Sequence, residues 1–257
     1  MEITLITGAT GGLGKAFCDI YAKNKNNLLL VSTSEQKLAQ LKNQIEKDYG
    51  FFVDYVCADL SQKEECEKVY NYSKSKGYFV DNLINCAGFG DRTDFKDMNV
   101  DLQMNMIAVN CSALVYFSRV FIDDMIKNNK GKIINVSSLA SFVPGPYMCT
   151  YHASKAFVLN FSESIAHELR KTKIKVLAVC PGPFISGFVE KAKNDWTFKK
   201  IKPVSAEKIA EFAYKKSQKG KRIAVYGFMN KLTAFAPRFF SRKFVATVSA
   251  GTLKKGD

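Results

Sequence analysis

Short apolar runs alternate along the chain with longer segments in which apolar residues recur every three or four positions. The runs of strand length are Ile3–Thr7, Leu28–Ser32, Phe52–Ala58, Asn82–Asn85, Lys132–Ser137, Val176–Cys180 and Arg222–Tyr226. Amphipathic stretches such as Leu38–Lys47 and Ile165–Lys171 lie between them. The run at Leu28 is continuously apolar, which is typical of a strand covered on both faces. This alternation predicts an α/β fold, a Rossmann-type doubly wound parallel sheet of seven strands with helices on both faces.

The length and composition suit a single domain. The chain has 257 residues, of which 47% are hydrophobic and 24% charged, enough for one globular domain with a large core. No internal repeat, low-complexity tract or linker interrupts it, so we expect one domain over residues 1–257. Its start lacks the features of a signal peptide, and we find no run of 18 apolar residues that would cross a bilayer. We therefore expect a cytoplasmic protein.

Charge and cysteine content narrow the choice of ligands. Lys and Arg outnumber Asp and Glu by 38 to 24, a net charge of +14, which favours an anionic ligand or an acidic surface. The lysines are spread along the chain without a basic arm or a nucleic-acid motif, so we expect no nucleic-acid partner. Seven cysteines without Cys-x-x-Cys spacing and only two histidines predict reduced core thiols and no metal site.

A glycine-rich turn follows the first predicted strand. Thr7 precedes Gly8-Ala9-Thr10-Gly11-Gly12-Leu13-Gly14, and a helical pattern continues from Lys15. Glycines at a strand-to-helix junction allow a tight turn and let a pyrophosphate approach the N–H groups at the helix N-terminus. A turn without a ligand is the alternative interpretation. The position of this turn in the first β–α unit favours dinucleotide binding.

A tyrosine and a lysine lie four residues apart in Tyr151-His152-Ala153-Ser154-Lys155. On a helix they share one face. An ammonium group near a phenol favours the phenolate and lowers a pKa that is ordinarily about 10. We therefore expect Tyr151 to donate and accept a proton near neutral pH. Taken alone, this spacing is more typical of a solvated helix face.

Together these motifs resemble those of the short-chain dehydrogenase/reductase family, in its compact oxidoreductase branch. Gly8-x-x-x-Gly12-x-Gly14 after a Thr is similar to the cofactor turn of that family. Further matches follow in order: Asp59-Leu60 after the third strand, Asn85-Cys86-Ala87-Gly88 after the fourth, Asn110 in a helix, Ser138 after the fifth strand, Tyr151 and Lys155, Pro181-Gly182 after the sixth strand, and Ser186 where relatives usually have Thr. Read singly, Asp59 is also typical of a helix cap, Asn85 of an Asx-turn and Ser138 of a strand-end hydroxyl. Their joint occurrence favours the family.

The resemblance implies a role for each matching residue. The nicotinamide carries the hydride, and Tyr151 exchanges a proton with the substrate oxygen, to which Ser138 donates a hydrogen bond. Lys155 lowers the pKa of Tyr151 and binds the nicotinamide ribose, and Asn110 holds a water that links Lys155 to solvent. The resemblance also implies a cofactor site made of Gly8, Thr10, Gly12, Leu13, Gly14, Ser32, Thr33, Ser34, Asp59, Leu60, Asn85, Ala87, Gly88, Tyr151, Lys155, Pro181, Gly182, Ile185 and Ser186.

The end of the second strand favours NADP(H) as the cofactor, with NAD(H) as the alternative. In relatives that prefer NAD, an acidic residue at this point binds the ribose hydroxyls. Here the strand ends in Ser32-Thr33-Ser34, with Glu35 following at the start of a helix and Lys37 nearby. Two features depart from NADP-dependent relatives: the strand end lacks an Arg, and Gly11 stands where many of them have a basic side chain.

Two apolar segments lie near the end of the chain. Residues 184–203 contain Phe184, Phe188, Trp196 and Phe198; the corresponding segment of relatives is a substrate lid, and the alternative is that these side chains belong to the core. Residues 228–257 have apolar side chains at helical spacing among basic ones, with Pro237 breaking or starting a helix. We expect this C-terminal amphipathic segment to pack on the domain, to cover the lid or to contact another subunit; docking on an anionic membrane is the alternative.

The resemblance implies an NAD(P)-dependent oxidoreductase that interconverts an apolar ketone or aldehyde and its alcohol. A membrane-associated reductase of acyl or sterol substrates is one alternative. A dinucleotide-binding protein without catalysis is another, but such proteins usually lose the tyrosine or the lysine, and this chain keeps both. Relatives form dimers or tetramers through the helices that hold Asn110 and Tyr151, so we expect a homodimer or homotetramer that binds a small carbonyl or alcohol substrate.

Overall fold

Seven parallel strands form one sheet in a computed structural model that describes residues 1–184 and 204–253. The strand order is β3-β2-β1-β4-β5-β6-β7, which confirms the predicted doubly wound α/β fold. The strands are β1 (Glu2–Thr7), β2 (Leu28–Ser32), β3 (Val53–Cys57), β4 (Phe79–Asn85), β5 (Lys132–Val136), β6 (Lys175–Cys180) and β7 (Ile223–Val225). β4 begins earlier than its apolar pattern predicts, because Phe79 and Val80 pair with the start of β1.

Nine α-helices cover the described parts of the sheet. They are α1 (Gly12–Lys23), α2 (Glu35–Tyr49), α3 (Lys63–Ser75), α4 (Val100–Ile107), α5 (Ala113–Lys127), α6 (Cys149–Glu168), α7 (Ala206–Gln218), α8 (Phe228–Phe235) and α9 (Arg242–Leu253). Local sequence sets several of their ends. The Ser34 side chain accepts a hydrogen bond from Lys37 N at the start of α2, and Gly50 ends this helix in the left-handed conformation, with φ of 72°.

The sheet is buried on both faces. Leu28 and Leu30 of β2 belong to the apolar cluster beneath α1, α2 and α7. Leu29 and Val31 belong to the cluster beneath α3, α5 and α6. Successive residues of a strand point to opposite faces, so a strand covered on both sides needs the continuous apolar run that β2 has.

A π-turn (Ala108–Ser112) joins α4 and α5 into one continuous helix, Val100–Lys127. This helix has a mean hydropathy of 1.4 over its most apolar stretch, long and apolar enough by composition to cross a bilayer. The expectation that no such segment exists was therefore wrong. Phe117, Phe121 and Met125 of this helix pack into the core against the sheet, which identifies it as a core helix with a second, apolar outer face.

The C-terminal segment is a pair of helices around a short 3₁₀ turn (Ala236–Phe239) that contains Pro237. α8 packs on the short 3₁₀ helix Leu139–Phe142 that follows β5. α9 ends with Leu253 packed against Met148. One side of the segment therefore packs on the domain, and its other side lies in solvent. Of the predicted lid, Phe184 is described and packs against the core cluster beneath α1, α2 and α7. Residues 185–203, which include the predicted cofactor residues Ile185 and Ser186, and residues 254–257 lie outside the described residues.

Candidate active site

The glycine turn forms a cradle between β1 and α1. Gly8 has a φ of +65°, and a Cβ on it would lie 2.8 Å from Ala87 Cα. A Cβ on Gly14 would lie 2.1 Å from Gly8 O, so α1 crosses directly over the turn. α1 begins at Gly12, and no side chain caps its N-terminal N–H groups. These close approaches and free N–H groups fit the pyrophosphate of a dinucleotide.

Thr7 joins the cradle to the end of β4. Its hydroxyl oxygen accepts hydrogen bonds from Cys86 N and Ala87 N, both at 3.0 Å. The same hydroxyl donates to Ile84 O at 3.4 Å. The buried Thr7 side chain thus connects the glycine turn after β1 to the turn at residues 85–88 after β4, both of which the family resemblance assigns to the cofactor. Thr7 itself was not among the predicted residues.

The end of β2 faces the cradle through hydroxyl groups. Thr10 Oγ1 and Ser32 Oγ lie 2.6 Å apart. Thr33 follows on the surface, and Ser34 caps α2. Glu35 is the first residue of α2, as predicted, so the carboxylate comes after the strand end. The groups at this point are hydroxyls and the N-terminus of a helix.

Ser138 and Tyr151 meet at the carboxyl end of β5. Ser138 directly precedes the 3₁₀ helix Leu139–Phe142, and its Oγ accepts a hydrogen bond from Ala140 N at 3.1 Å. Its hydroxyl also hydrogen-bonds to the phenol of Tyr151. Burial raises the pKa of Tyr151, and the bond from Ser138 lowers it by less, so the net direction is upward. The expected lowering of this pKa is therefore corrected.

The position of the Lys155 ammonium group explains why the pKa of Tyr151 is not lowered as expected. Lys155 Nζ is 5.9 Å from the centroid of the Tyr151 ring and donates a hydrogen bond to Val136 O at 2.9 Å. The predicted sharing of one helix face is present, but the ammonium group is directed toward a main-chain carbonyl at the end of β5. Burial lowers the pKa of Lys155, because desolvation disfavours its charged form.

Asn110 lies in the π-turn between α4 and α5 and is buried. Its amide binds both main-chain groups of Phe89: Oδ1 accepts from Phe89 N at 3.1 Å, and Nδ2 donates to Phe89 O at 3.0 Å. Nδ2 also donates to Ser154 Oγ at 3.0 Å. Such π-turns are common at functional sites. Here the turn directs Asn110 to the loop after β4.

Gly88 is the point where Asn110 and Lys155 meet. A Cβ on this residue would lie 2.9 Å from Asn110 Oδ1 and 3.2 Å from Lys155 Nζ. The absence of a side chain here lets the loop after β4 lie between the two polar groups. The four residues that the resemblance assigns to catalysis are thus grouped at the carboxyl ends of β4 and β5.

The side chain of Asn85 points into the core. Its Nδ2 donates to Asn135 Oδ1 at 2.9 Å and to Ser118 Oγ at 3.3 Å. Asn135 Nδ2 in turn donates to Ser162 Oγ at 2.9 Å. Both N–H groups of Asn85 therefore stabilise the sheet and its helices, and they are not directed toward a cofactor. An Asx-turn therefore does not describe this side chain, and the cofactor role that the resemblance gives Asn85 stays a prediction.

Other predicted cofactor residues use their side chains locally. Asp59 Oδ1 accepts from Ser61 N at 3.0 Å, whereas the residue before α3 is Gln62, so Asp59 does not cap that helix. Leu13 and Leu60 are buried in the two core clusters. Their side chains are therefore turned away from the cradle, and the predicted cofactor contacts of Leu13 and Leu60 would be made by main-chain atoms.

The two C-terminal helices lie beside Tyr151 and the end of β6. Leu253 of α9 packs with Met148, Tyr147 and Tyr151, and its carbonyl accepts a hydrogen bond from Arg92 Nε at 2.6 Å. Pro181 O accepts from Leu139 N at 2.9 Å. A Cβ on Gly182 would lie 2.6 Å from the amide of Asn230, so α8 reaches the end of β6.

Sequence reasoning missed several residues of this site. Thr7, Asn135 and Ser154 hold the predicted residues in place, and Arg92 anchors α9 beside Tyr151. Thr7 and Asn135 stand directly in the motifs that were recognised, so their positions offered a signal. Arg92 and Leu253 are 161 positions apart, and no local pattern connects them. Among the described residues, no group of His, Cys, Asp and Glu side chains is arranged to hold a metal ion.

Two curated proteins illustrate what this chain is similar to. Over 180 residues it is 30% identical to hydroxysteroid dehydrogenase-like protein 1 of Gallus gallus, a match that covers 69% of this chain and 54% of the relative. Over 184 residues it is 31% identical to the very-long-chain 3-oxoacyl-CoA reductase of Anas platyrhynchos, covering 69% and 58%. The match therefore spans little more than half the length of these two relatives.

Solved structures share the fold over almost the whole chain. A structure from a study of 7β-hydroxysteroid dehydrogenase stereoselectivity has a TM-score of 0.87 and 25% identity, covering 97% of this chain and 96% of the other. A short-chain dehydrogenase from Sphingobium yanoikuyae, solved with NADPH, has a TM-score of 0.83 and 22% identity, covering 100% and 97%. The family model for short chain dehydrogenases matches residues 2–196. The chain belongs to the short-chain dehydrogenase/reductase family of NAD(P)-dependent oxidoreductases.

Proposed function

We propose that this chain uses NADPH to reduce bulky apolar ketones, or catalyses the reverse oxidation of the corresponding alcohols. The observation that carries the proposal is the hydrogen bond between Ser138 and Tyr151 at the carboxyl end of β5. This hydroxyl pair lies beside the apolar side chains of Met148 and Leu253. A carbonyl oxygen between two hydroxyl donors, with an apolar body against these side chains, fits this arrangement.

The nicotinamide supplies the hydride when it is bound. In reduction, the Tyr151 phenol donates its proton to the substrate oxygen, and the Ser138 hydroxyl donates a hydrogen bond to the charge that develops on that oxygen. Lys155, about one helical turn away, stabilises the phenolate that remains. Asn110 fixes the loop at Gly88 through Phe89, and a water held near it returns a proton from solvent. In oxidation, the phenolate accepts the hydroxyl proton.

NADPH is favoured because the end of β2 offers hydroxyls and a helix N-terminus to the 2′-phosphate. Thr10 and Ser32 are already paired at 2.6 Å, and α2 begins two residues after Thr33. A helix N-terminus attracts a phosphate. We expect kcat/KM to be higher with NADPH than with NADH, and Thr33→Asp to shift the preference toward NADH. A tenfold NADH preference in the unmodified protein would overturn the assignment.

The substrate class follows from the cleft and its relatives. Tyr147, Met148 and Leu253 give one side an apolar surface, and Phe142 contacts the cluster at the end of β6. Two similar proteins are named for hydroxysteroid and long-chain 3-oxoacyl substrates. We infer that steroid-like or long acyl ketones fit the cleft better than small polar carbonyl compounds.

The test is NADPH consumption with a panel of steroid, acyl and aromatic ketones. Tyr151→Phe is expected to remove nearly all turnover while NADPH binding stays measurable, because only the proton donor is lost. Tyr147→Phe is the matched control, since it removes a phenol from the same cluster. A Tyr151→Phe protein that retains a tenth of the rate would refute the role of this residue. NADPH binding without turnover on any ketone would identify a non-catalytic dinucleotide-binding protein.

We also infer that a second copy of the chain covers the outer face of the helix Val100–Lys127. This helix is apolar along its length, yet only 39% of its most apolar stretch is buried. A groove of 1320 Å³ lies along it and α6, with Cys111, Tyr116 and Phe157 in its lining. Sedimentation is expected to give a dimer or tetramer, and Phe157→Glu to weaken it. A monomer at micromolar concentration would contradict this inference.

A further inference from the structure

An exposed apolar surface covers the outer side of α8 and α9. We call it the aromatic–basic surface and define its apolar members as Phe228, Met229, Leu232, Phe235, Phe239, Phe240, Phe244 and Val248. Their exposed fractions run from 49% for Leu232 to 79% for Phe228. These eight side chains are among eighteen exposed large hydrophobic residues in the described parts of the chain. Singly exposed apolar residues need no explanation, but a contiguous patch marks an interaction site.

The rings of this surface form two contacting pairs. Phe235 and Phe239 have ring centroids 5.2 Å apart, and so do Phe240 and Phe244. The two pairs follow each other directly in the sequence, at the end of α8 and the start of α9. The guanidinium of Arg238 lies 5.5 Å from the centre of the Phe235 ring. Arg238 therefore lies on the same surface as this pair of rings.

The charge on this surface has one sign. Between Phe228 and Leu253 the charged residues are Lys231, Arg238, Arg242 and Lys243, and no Asp or Glu is present. All four cations are exposed. An amphipathic segment with aromatic side chains and cations binds the interface of a membrane that contains anionic lipids, because its rings enter the headgroup boundary while the cations bind the headgroups. A protein partner would have to match both a broad aromatic face and its cations.

The same two helices reach the substrate cleft on their inner side. Leu253 at the end of α9 forms a cluster with Met148 against which Tyr151 packs, and Asn230 of α8 lies against Gly182. A membrane bound on the outer side would therefore be separated from Tyr151 and Gly182 only by these two helices. This placement fits the apolar ketones of the proposed function, which partition into lipid.

We propose that the aromatic–basic surface docks the protein on an anionic lipid bilayer, from which an apolar substrate enters the cleft. The substrate part rests on the proposed function, whereas docking does not. Docking accounts for the exposed rings, for the single sign of charge among them and for the position of the surface beside the cleft.

The first test uses the full chain and vesicles of phosphatidylcholine with or without about one third phosphatidylserine, a content chosen to give a strongly negative surface. We expect co-sedimentation with the anionic vesicles and little with the neutral ones. Replacing Arg238, Arg242 and Lys243 by Gln should weaken binding by about fivefold for each cation removed. Phe239→Ser with Phe240→Ser should weaken it more than tenfold.

The matched control replaces exposed apolar residues elsewhere. Phe95 is 81% exposed and Met104 59% exposed, but Asp94, Asp97 and Asp101 flank them. Phe95→Ser with Met104→Ser should leave vesicle binding unchanged. If it weakens binding as much as the change at Phe239 and Phe240, or if the unmodified protein stays in solution with anionic vesicles, the proposal is wrong.

Two further readouts separate the possible occupants. Sedimentation without vesicles shows whether the change at Phe239 and Phe240 dissociates an oligomer; if it does, and vesicle binding is absent, the surface is an interface between copies of the chain and membrane docking is refuted. NADPH consumption with a water-soluble ketone should be the same in the surface variants and the unmodified protein. Vesicle binding without any turnover would leave docking intact and refute the proposed function alone.

Discussion

Gly14→Ala tests the closest approach in the cofactor cradle. The added Cβ would lie 2.1 Å from Gly8 O, 2.8 Å from Gly8 C and 3.0 Å from Ala9 Cα. All three are main-chain atoms, so no flexible side chain can move away. Since non-bonded carbon atoms are stable at about 3.5 Å or more, α1 and the turn must separate by roughly 1 Å.

The expected cost follows from two opposing effects. Overpacking in a tight contact costs about 1–3 kcal/mol, and the upper half applies because main chain meets main chain. Alanine is favoured over glycine in a helix by about 1 kcal/mol, which offsets part of that cost. We expect a net loss of about 1–2 kcal/mol in the free energy of unfolding, measured by urea denaturation. Because the displaced atoms form the cradle, NADPH should bind more than tenfold more weakly in a fluorescence titration.

Gly251→Ala is the matched control. Gly251 lies within α9, and a Cβ there would meet no atom within 4 Å. The same substitution should therefore stabilise the protein by about 0.5–1 kcal/mol and leave NADPH affinity unchanged. If Gly14→Ala behaved like Gly251→Ala in both assays, α1 would not lie over the turn as the structure has it, and the argument for the cradle would fail.

Three further predictions concern polar groups around the site. Asn135→Ala breaks a chain of buried hydrogen bonds between β4 and α6, and should lower the free energy of unfolding in urea by about 1–3 kcal/mol. Asn160→Ala, on the exposed side of α6, should lower it by under about 0.5 kcal/mol; equal losses would contradict the buried network. Because burial raises the pKa of Tyr151, its contribution to stability is present below the ordinary tyrosine pKa and is lost as pH rises through the higher folded value; a tyrosinate absorbance that appears near neutral pH and vanishes in Tyr151→Phe would reverse this direction. Arg92→Ala removes the hydrogen bond to the last described carbonyl of α9 and should raise KM for an apolar ketone several-fold with little change in kcat, an effect that Arg119→Ala, in an exposed ion pair, should not have.

The sheet could be predicted from sequence because its signals are local. Most strands contain a short apolar run of the kind that is typical of strands covered on both faces, and their short length distinguishes them from buried helices. The glycine turn was equally readable, since Gly8 and Gly14 are needed for contacts within the same β–α unit. The family resemblance predicted that Ser138, Tyr151 and Lys155 lie together, and in the structure Tyr151 and Lys155 lie on α6 while Ser138 follows β5, which α6 contacts.

The direction of the Tyr151 pKa could not be predicted from spacing. This pKa depends on the distance from the phenol to the ammonium group and on the burial of the phenol. The burial is determined by residues far away in the sequence. Met148 and Leu253 cover Tyr151, and Lys155 is turned toward Val136 O. Desolvation therefore exceeds the attraction that the spacing suggested.

Asn85 shows a similar limit of motif reasoning. The motif correctly placed it at the end of β4, but its partner Asn135 lies on β5, 50 positions later. Which way the amide points depends on the register between these two strands, where the two asparagines are directly paired. A residue type at a known position is thus compatible with a core role and with a cofactor role.

The polar contacts divide the site into a fixed part and a part open to variation. Thr7, Asn85 and Asn110 tie the ends of β1, β4 and β5 and the loop at Phe89 together through buried hydrogen bonds. Those bonds hold the main chain around the groups to which the proposed function assigns the proton exchange. An apolar contact is made from α9, whose last described residue, Leu253, forms with Met148 the cluster against which Tyr151 packs. Because apolar packing tolerates exchange of side chains far better than a buried hydrogen bond does, changes at Leu253 should alter which ketone is used while leaving the proton transfer itself intact.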